Sequence, residues 1–313
     1  MGVAETVFPV IVAGLVVTSI ALSLRILVRT RFQGSMGYDD AVMCFGFIVY
    51  VLFSAFSFLS LDYGYGAWSR RSHDDPEAAA KFWTATQITY PPTSGIIKIA
   101  VALLLFRINV EKTIRRILIL SIAVDFIVST VFFLILVLQC RPLSLMWGVG
   151  QGSCIDFDTN VRTGLAFSVI DIVLNWMYSL LPIPMLWKVQ IGLRLKIILF
   201  ILFGLGLLSS VATILRFQYI LKLVSNRGLD VESNERNNDL SVLLWSHVEL
   251  FLAMFTSSLL NIRPLLRHGG DLVKSFFSQQ KGFSQFEDST ELVSVTLKRS
   301  PSGSEREAVA TEF

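Results

Sequence analysis

Seven long stretches of the chain carry few charges, and polar loops separate them. They cover roughly residues 8–28, 39–61, 85–106, 117–139, 163–187, 196–220 and 241–262. A helix needs about 20 apolar residues to cross ~30 Å of hydrocarbon, and each stretch has that length. None shows the period-two alternation that a membrane barrel requires. The pattern predicts an all-α membrane protein: a seven-transmembrane-helix bundle within residues 1–267, then a Ser-rich, largely disordered tail over 268–313.

Composition agrees with that reading. Of 313 residues, 53% are hydrophobic and 16% charged, against roughly 25% charged in an average soluble domain. Mean hydropathy is +0.61. A soluble globule would lack the polar surface to cover such a core. The net charge of +3 argues against a nucleic-acid partner; the lipid bilayer is the partner this composition demands. Three cysteines make neither a disulfide framework nor a four-ligand zinc site, so no metal is expected.

The first stretch has no Lys or Arg before it, whereas Arg25, Arg29 and Arg31 follow it. That favours an uncleaved first span with the N-terminus outside over a cleaved signal peptide. Thr6 abuts the span, so lipidation at Gly2 is not expected. The inner segments then carry 14 basic residues: Arg25, Arg29, Arg31, Arg107, Lys112, Arg115, Arg116, Lys188, Arg194, Lys196, Arg263, Arg267, Lys274 and Lys281. The longer outer loops carry 8: Arg70, Arg71, Lys81, Arg141, Arg162, Lys222, Arg227 and Arg236. This asymmetry predicts a cytoplasmic C-terminus.

Asp75-Pro76 reads as an N-cap followed by proline at the first helical position, so a helix is expected to run from there into the third span. Pro91-Pro92 would bend it. Cys140 and Cys154 sit at the two ends of one outer loop. On the oxidising side they are expected to form a disulfide, the alternative being two free thiols. Cys44 reads as a small buried residue, and no Asn-x-Ser/Thr sequon occurs. In the tail, 271–283 fits a short amphipathic helix on the membrane. Ser284, Ser300, Ser302 and Ser304 have neighbours that kinases favour, although a merely solvated tail fits equally well.

Ionisable groups within the spans carry the functional signal, because burying one is costly unless it is paired or faces water. Lys98 and Asp125 lie about eight residues from the inner side of spans three and four, ~12 Å deep at 1.5 Å per residue. Matched depth predicts an intramembrane pair. Asp171, Arg216 and Glu249 fall in the outer halves of spans five, six and seven, with Asn175 and His247 nearby and Trp245 or Tyr219 as walls. Two layers are thus expected, the outer one a ligand site. With both of its carboxylates ionised that layer would be negative, so it is expected to hold a proton or take up a cation. The alternative for both layers is polar glue between helices.

Certain motifs resemble those of the fungal rhodopsin-domain integral membrane proteins. They are Gly37-Tyr38-Asp39-Asp40, Lys98 with Arg107 nine residues on, and Cys140-x-Pro142 with Trp147. Gly152-x-Cys154-Ile155-Asp156 follows, then Pro182-x-Pro184 with Trp187-Lys188, Lys196 and Arg216. Trp245-Ser246-x-x-Glu249 and Arg263-Pro264-Leu265 complete the series, which covers about residues 8–267. The family includes receptor-like proteins of surface sensing and members encoded in secondary-metabolite gene clusters. Departures are Ala67-Trp68 where the family often has His after Gly64-Tyr65-Gly66, Ala100 in place of Ser, and Asp171 with Asn175 in the reverse of the usual order.

Retinal is not expected as a cofactor, because span seven contains no lysine for a Schiff base. Animal-type receptor signatures are missing: no acid precedes Arg107, and span seven ends Asn261-Ile262-Arg263-Pro264. Coupling to a G protein is therefore an analogy of fold only. The resemblance implies a receptor-like sensor with a small-molecule ligand and a cytoplasmic signalling partner, at the plasma membrane. The alternative is a cyclase-like biosynthetic enzyme of the endoplasmic reticulum, with Asp171 or Glu249 as a buried general acid. A transporter fits less well, for there is no inverted repeat, and Gly204 and Gly206 read as close-packing points.

Overall fold

The computed structural model describes residues 3–33, 36–65, 75–107, 111–181, 193–225 and 232–261. Among these, seven helices are long and apolar enough to cross a membrane. They are α1 (Val3–Val28), α2 (Tyr38–Asp62), α3 (Pro76–Arg107), α4 (Lys112–Leu138), α5 (Phe157–Leu180), α6 (Leu193–Ser225) and α7 (Glu232–Asn261). A π-helical turn, Arg29–Gln33, prolongs α1. The expected Pro182-x-Pro184 segment, the tail helix and the tail serines lie outside the described residues.

The helices alternate in direction. α2 packs along α3, α6 along α7, α1 against α7, α3 against α4, and α5 against α6. α3 is the central element: 61% of its apolar window is buried, against 22% for α4. Ile20, Leu27, Ile48, Leu120, Phe126 and Val173 point out of the bundle. Such a belt would aggregate in water and is solvated in lipid.

Local chemistry fixes the helix starts. Asp75 Oδ1 accepts the Ala78 N–H at 3.1 Å, and Pro76 opens α3 without wasting a donor. At α2 the Gly37 N–H donates to Asp40 Oδ2 at 3.1 Å. Pro91 and Pro92 stay inside α3. Hydroxyls within the spans turn back onto their own helices, as Ser54 does to the Tyr50 carbonyl at 2.8 Å and Thr93 to that of Thr89 at 2.7 Å. No partner from water is then needed.

Small residues allow close approach. A Cβ at Gly206 would stand 2.7 Å from Ser179 Oγ, so α5 and α6 meet there. Gly204 has no atom within 4 Å of such a Cβ among the described residues. Of the two expected packing points, Gly206 is the one seen among the described residues.

Between α4 and α5 lies the structured loop. Cys140–Arg141 and Ser153–Cys154 form a two-residue antiparallel ladder in which Cys140 faces Cys154. A disulfide joins them, and the Ile155 N–H donates to the Gln139 carbonyl at 2.7 Å. A 3-10 turn, Leu143–Trp147, fills the loop and ends at Gly148 in the left-handed region (φ 82°), where glycine avoids a Cβ clash. Closing a loop of this length removes about 3 kcal/mol of freedom from the unfolded chain. Replacing both cysteines with serine is expected to lower stability by about that amount, read as thermal unfolding in detergent with and without reductant. Wild type under reductant should match the variant.

Candidate functional site

Polar residues recur at spacings of three and four along otherwise apolar helices. Tyr90, Ser94 and Lys98 share a face of α3; Ser168, Asp171 and Asn175 share one of α5; Ser209, Thr213 and Arg216 share one of α6. With Glu249 of α7, these faces converge on one buried network.

Lys98 is its centre. Its Nζ lies 2.5 Å from Asp171 Oδ1, 2.5 Å from Ser94 Oγ and 3.5 Å from Glu249 Oε1. Arg216 stands beside the same carboxylates, 3.8 Å from Asp171 and 3.7 Å from Glu249. Its Nη2 donates to Ser168 Oγ at 3.1 Å, and its guanidinium lies over the Tyr90 ring, 4.5 Å from the centroid. Tyr90 donates to Glu249 Oε2 at 3.0 Å. Asn175 Nδ2 lies 2.9 Å from Thr213 Oγ1 and 2.9 Å from Glu249 Oε1. Two cations meet two anions, so burial is supported by charge pairing and by neutral donors.

The expected division into two layers does not survive. Lys98 joins Asp171 and Glu249, and the Lys98–Asp125 ion pair is not formed. Asp125 remains buried nearby, with Oδ2 lacking a hydrogen-bond partner among the described residues. Helix ends account for the difference. α4 starts at Lys112, five residues before the expected 117, which carries Asp125 deeper. α5 ends at Leu180, not 187, which brings Asp171 level with Lys98: each is nine residues from the end of its helix.

Asp171, Asn175, Arg216 and Glu249 come together as expected, but His247 and Trp245 do not join them. His247 faces α2, with Nε2 3.2 Å from Ser57 Oγ and its ring 4.4 Å from that of Phe53. Two residues along a helix turn the side chain through roughly 200°, away from Glu249.

Above the network, toward the end that carries the disulfide loop, lies a cavity of about 340 Å³. This is within the usual range for small-molecule sites, ~300–1,000 Å³. Trp83, Asn160 and Asp239 line its upper part, and Phe53, Phe132 and Leu243 its apolar walls. Tyr90, Phe167, Ser168 and Arg216 line the part that meets the network. The α7 wall is Asp239, Val242, Leu243 and Ser246, which leaves Trp245 to one side; Tyr219 is not on the wall either. At the upper end Tyr65 donates to Asp239 Oδ2 at 2.8 Å and stacks on Trp83 at 4.1 Å. Sequence reasoning missed Tyr90, Ser168 and Phe167, although the i, i+4, i+8 run of Tyr90, Ser94 and Lys98 was the available signal.

A second network closes the opposite end. Arg25 is fully buried and gives Nε to Asp40 and Nη2 to Asp39, each at 2.8 Å. Arg29 pairs with Asp39 at 2.9 Å and with Asp40 at 3.2 Å. Arg107 of α3 reaches Asp39 at 3.2 Å, and Arg25 Nη1 reaches Ser257 Oγ of α7 at 3.0 Å. α1, α2, α3 and α7 are thus tied together by residues of the Gly37-Tyr38-Asp39-Asp40 motif and its partners.

The sequence model described as the fungal rhodopsin domain matches residues 24–268, a stretch that contains both networks. The chain belongs to the fungal rhodopsin-domain family. Three relatives in that setting are each 25% identical to it. Receptor GIN3 of Arthrobotrys oligospora aligns over 256 residues, 81% of this chain and 60% of the relative. A SAT4 family membrane protein of Emericella nidulans aligns over 233 residues, 70% of this chain and 56% of the relative. Polyenoic acids biosynthesis gene cluster protein Ba17b of Metarhizium anisopliae aligns over 205 residues, 61% and 53%. The chain therefore spans between 53% and 60% of the length of the curated relatives it matches. No solved structure matches it.

Proposed function

We propose that this fungal rhodopsin-domain protein is a receptor-like sensor, with its N-terminus and disulfide loop outside and its arginine-rich end in the cytoplasm. One observation carries the reading: Arg216 belongs both to the cavity wall and to the buried network. A ligand in the cavity would touch a residue coupled to α3, α5 and α7. It would favour whichever packing of those helices binds it better. The relative named Receptor GIN3 and the excess of basic residues at the Arg25 end support this direction of signalling. The plasma membrane is the expected site, and a cytoplasmic protein reading the inner loops or tail the expected partner.

The second reading is a membrane enzyme, favoured by the relative named for a polyenoic acids biosynthesis gene cluster. Here Glu249 or Asp171 would be the acid. Against it, neither carboxylate lines the cavity, and both are engaged by Lys98.

Strains carrying Glu249→Gln or a truncation after Arg267 separate the two. The sensor predicts surface location, unchanged metabolites and loss of a developmental or transcriptional response in both strains. An accumulated precursor in the Glu249→Gln strain alone, with the protein in internal membranes, would establish the enzyme instead. A fluorescent fusion checks that each variant reaches its membrane.

A further inference from the structure

Arg216 is only 2% exposed, yet two of its three nitrogens are not satisfied. Nε and Nη1 make no hydrogen bond among the described residues; only Nη2 does, to Ser168. The carboxylates of Asp171 and Glu249 stand at 3.8 and 3.7 Å, outside hydrogen-bonding range. Buried donors without acceptors are rare, and each needs a physical cause. These two nitrogens are themselves enclosed, and Arg216 meets the cavity as part of its wall, so a ligand there reaches them by a turn of the guanidinium.

We propose that the cavity binds a small apolar monocarboxylic acid, its carboxylate on Arg216 and its hydrocarbon part among the aromatic rings above. The proposal deepens the sensor reading and rests on its premise that this cavity is the ligand site.

Four features of the wall select that class. A guanidinium edge offers two donors in a fork that matches two carboxylate oxygens, here Nε or Nη1 together with the second N–H of Nη2, whose other N–H donates to Ser168. Among the described residues Arg216 is the sole cation lining the cavity and Asp239, hydrogen-bonded to Tyr65 at the upper end, the sole acid, so beside Arg216 one negative charge is matched and the two charges of a phosphate are not. A cationic group at the network end would meet Arg216 directly, while Lys98 already occupies Asp171 and Glu249. The remaining wall combines rings that suit a hydrocarbon chain or ring, Phe53, Phe132 and Phe167, with uncharged polar groups of Thr86, Gln87 and Asn160.

On binding, Arg216 would exchange two long ion pairs for two short charge-assisted hydrogen bonds. Lys98, Tyr90 and Asn175 keep hold of the released carboxylates. The ligand thereby changes the charge balance among α3, α5, α6 and α7.

The test uses the full chain purified in lipid nanodiscs and a matched panel: decanoic and cinnamic acids, their methyl esters, and decylamine and cinnamylamine. Binding is followed by calorimetry. At least one acid is expected to bind about tenfold or more tighter than its ester, the value of one good charged contact. Arg216→Lys keeps the charge but loses the fork, and is expected to weaken the acid about tenfold and the ester little. Arg216→Gln can unfold the core, so Gly164→Leu gives an independent check. A Cβ there meets only Phe132, at 3.8 Å, and the larger side chain takes up space in the cavity while Arg216 is left unchanged.

Loss of acid binding in Gly164→Leu, with unfolding temperature retained, supports the proposal. Esters or amines binding as well as acids would overturn it. So would an acid preference that survives Arg216→Lys, acid binding that survives Gly164→Leu, or no binding by either acid. A cellular response to the ester but not the acid would overturn this ligand class and leave the sensor standing. Chemical conversion of a bound acid would overturn the sensor and leave the ligand class.

Discussion

Lys98→Met is expected to be the most damaging single change in the bundle core, costing about 3–5 kcal/mol. The methionine keeps the volume and removes the charge. Asp171 then loses a contact at 2.5 Å and Glu249 one at 3.5 Å. Arg216 is left as the nearest cation, at 3.7–3.8 Å from them. Two carboxylates sharing one distant cation in a dry interior are poorly supported. The cost is read from thermal unfolding in a fixed detergent. The pair is isolated by a cycle with Asp171→Asn, whose double variant is expected to be about 1–3 kcal/mol more stable than the sum of the singles predicts. Asp125→Asn is the control. Asp125 forms no ion pair with Lys98, and one of its oxygens is unpartnered among the described residues. Its neutralisation is expected to cost under about 1 kcal/mol or to stabilise. A loss on Asp125→Asn equal to that of Lys98→Met would restore the pairing by depth that the sequence suggested.

That comparison marks what was legible in the chain. The seven spans and the disulfide were, because a span is a matter of length and hydropathy and a single loop held both cysteines. Asp171, Asn175, Arg216 and Glu249 stood out because a charge or amide inside a lipid-spanning segment is costly and needs a partner. Partner choice was not legible. It depends on helix ends, and an error of five residues at the start of α4 moves Asp125 by ~7 Å along the helix axis. His247 was misplaced for a related reason: sequence proximity to Glu249 ignores the turn of the helix. The network at the far end was hidden by its own chemistry. Arg25, Arg29 and Arg107 read as flanking charges of the kind that fix orientation. Only the fold brings them onto Asp39 and Asp40.

Asp39→Asn should therefore rank next in cost, again about 3–5 kcal/mol, because it withdraws the acceptor shared by three arginines. Among the described residues the wild-type network has three cations and two anions, and fully buried Arg25 depends on both anions. Once the Asp39 carboxylate is an amide, Asp40 is the carboxylate that remains for Arg25 and Arg29 among the described residues, while it also accepts the Gly37 N–H. Arg107→Gln is the contrasting case. Arg107 is 39% exposed, so water compensates its loss and the expected cost stays below about 1 kcal/mol. Cys44 supplies a direct readout, being half-buried in α2 one turn beyond Asp40 and the single cysteine outside the disulfide. Its labelling by a thiol reagent is expected to accelerate in Asp39→Asn and hardly at all in Arg107→Gln. The same Asp39 variant bears on function. If this end is the cytoplasmic output face, loosening the ties among α1, α2, α3 and α7 shifts the resting population toward the signalling one. Response without ligand is then the expected phenotype. Faster labelling with no rise in basal response would mean that the network serves stability alone.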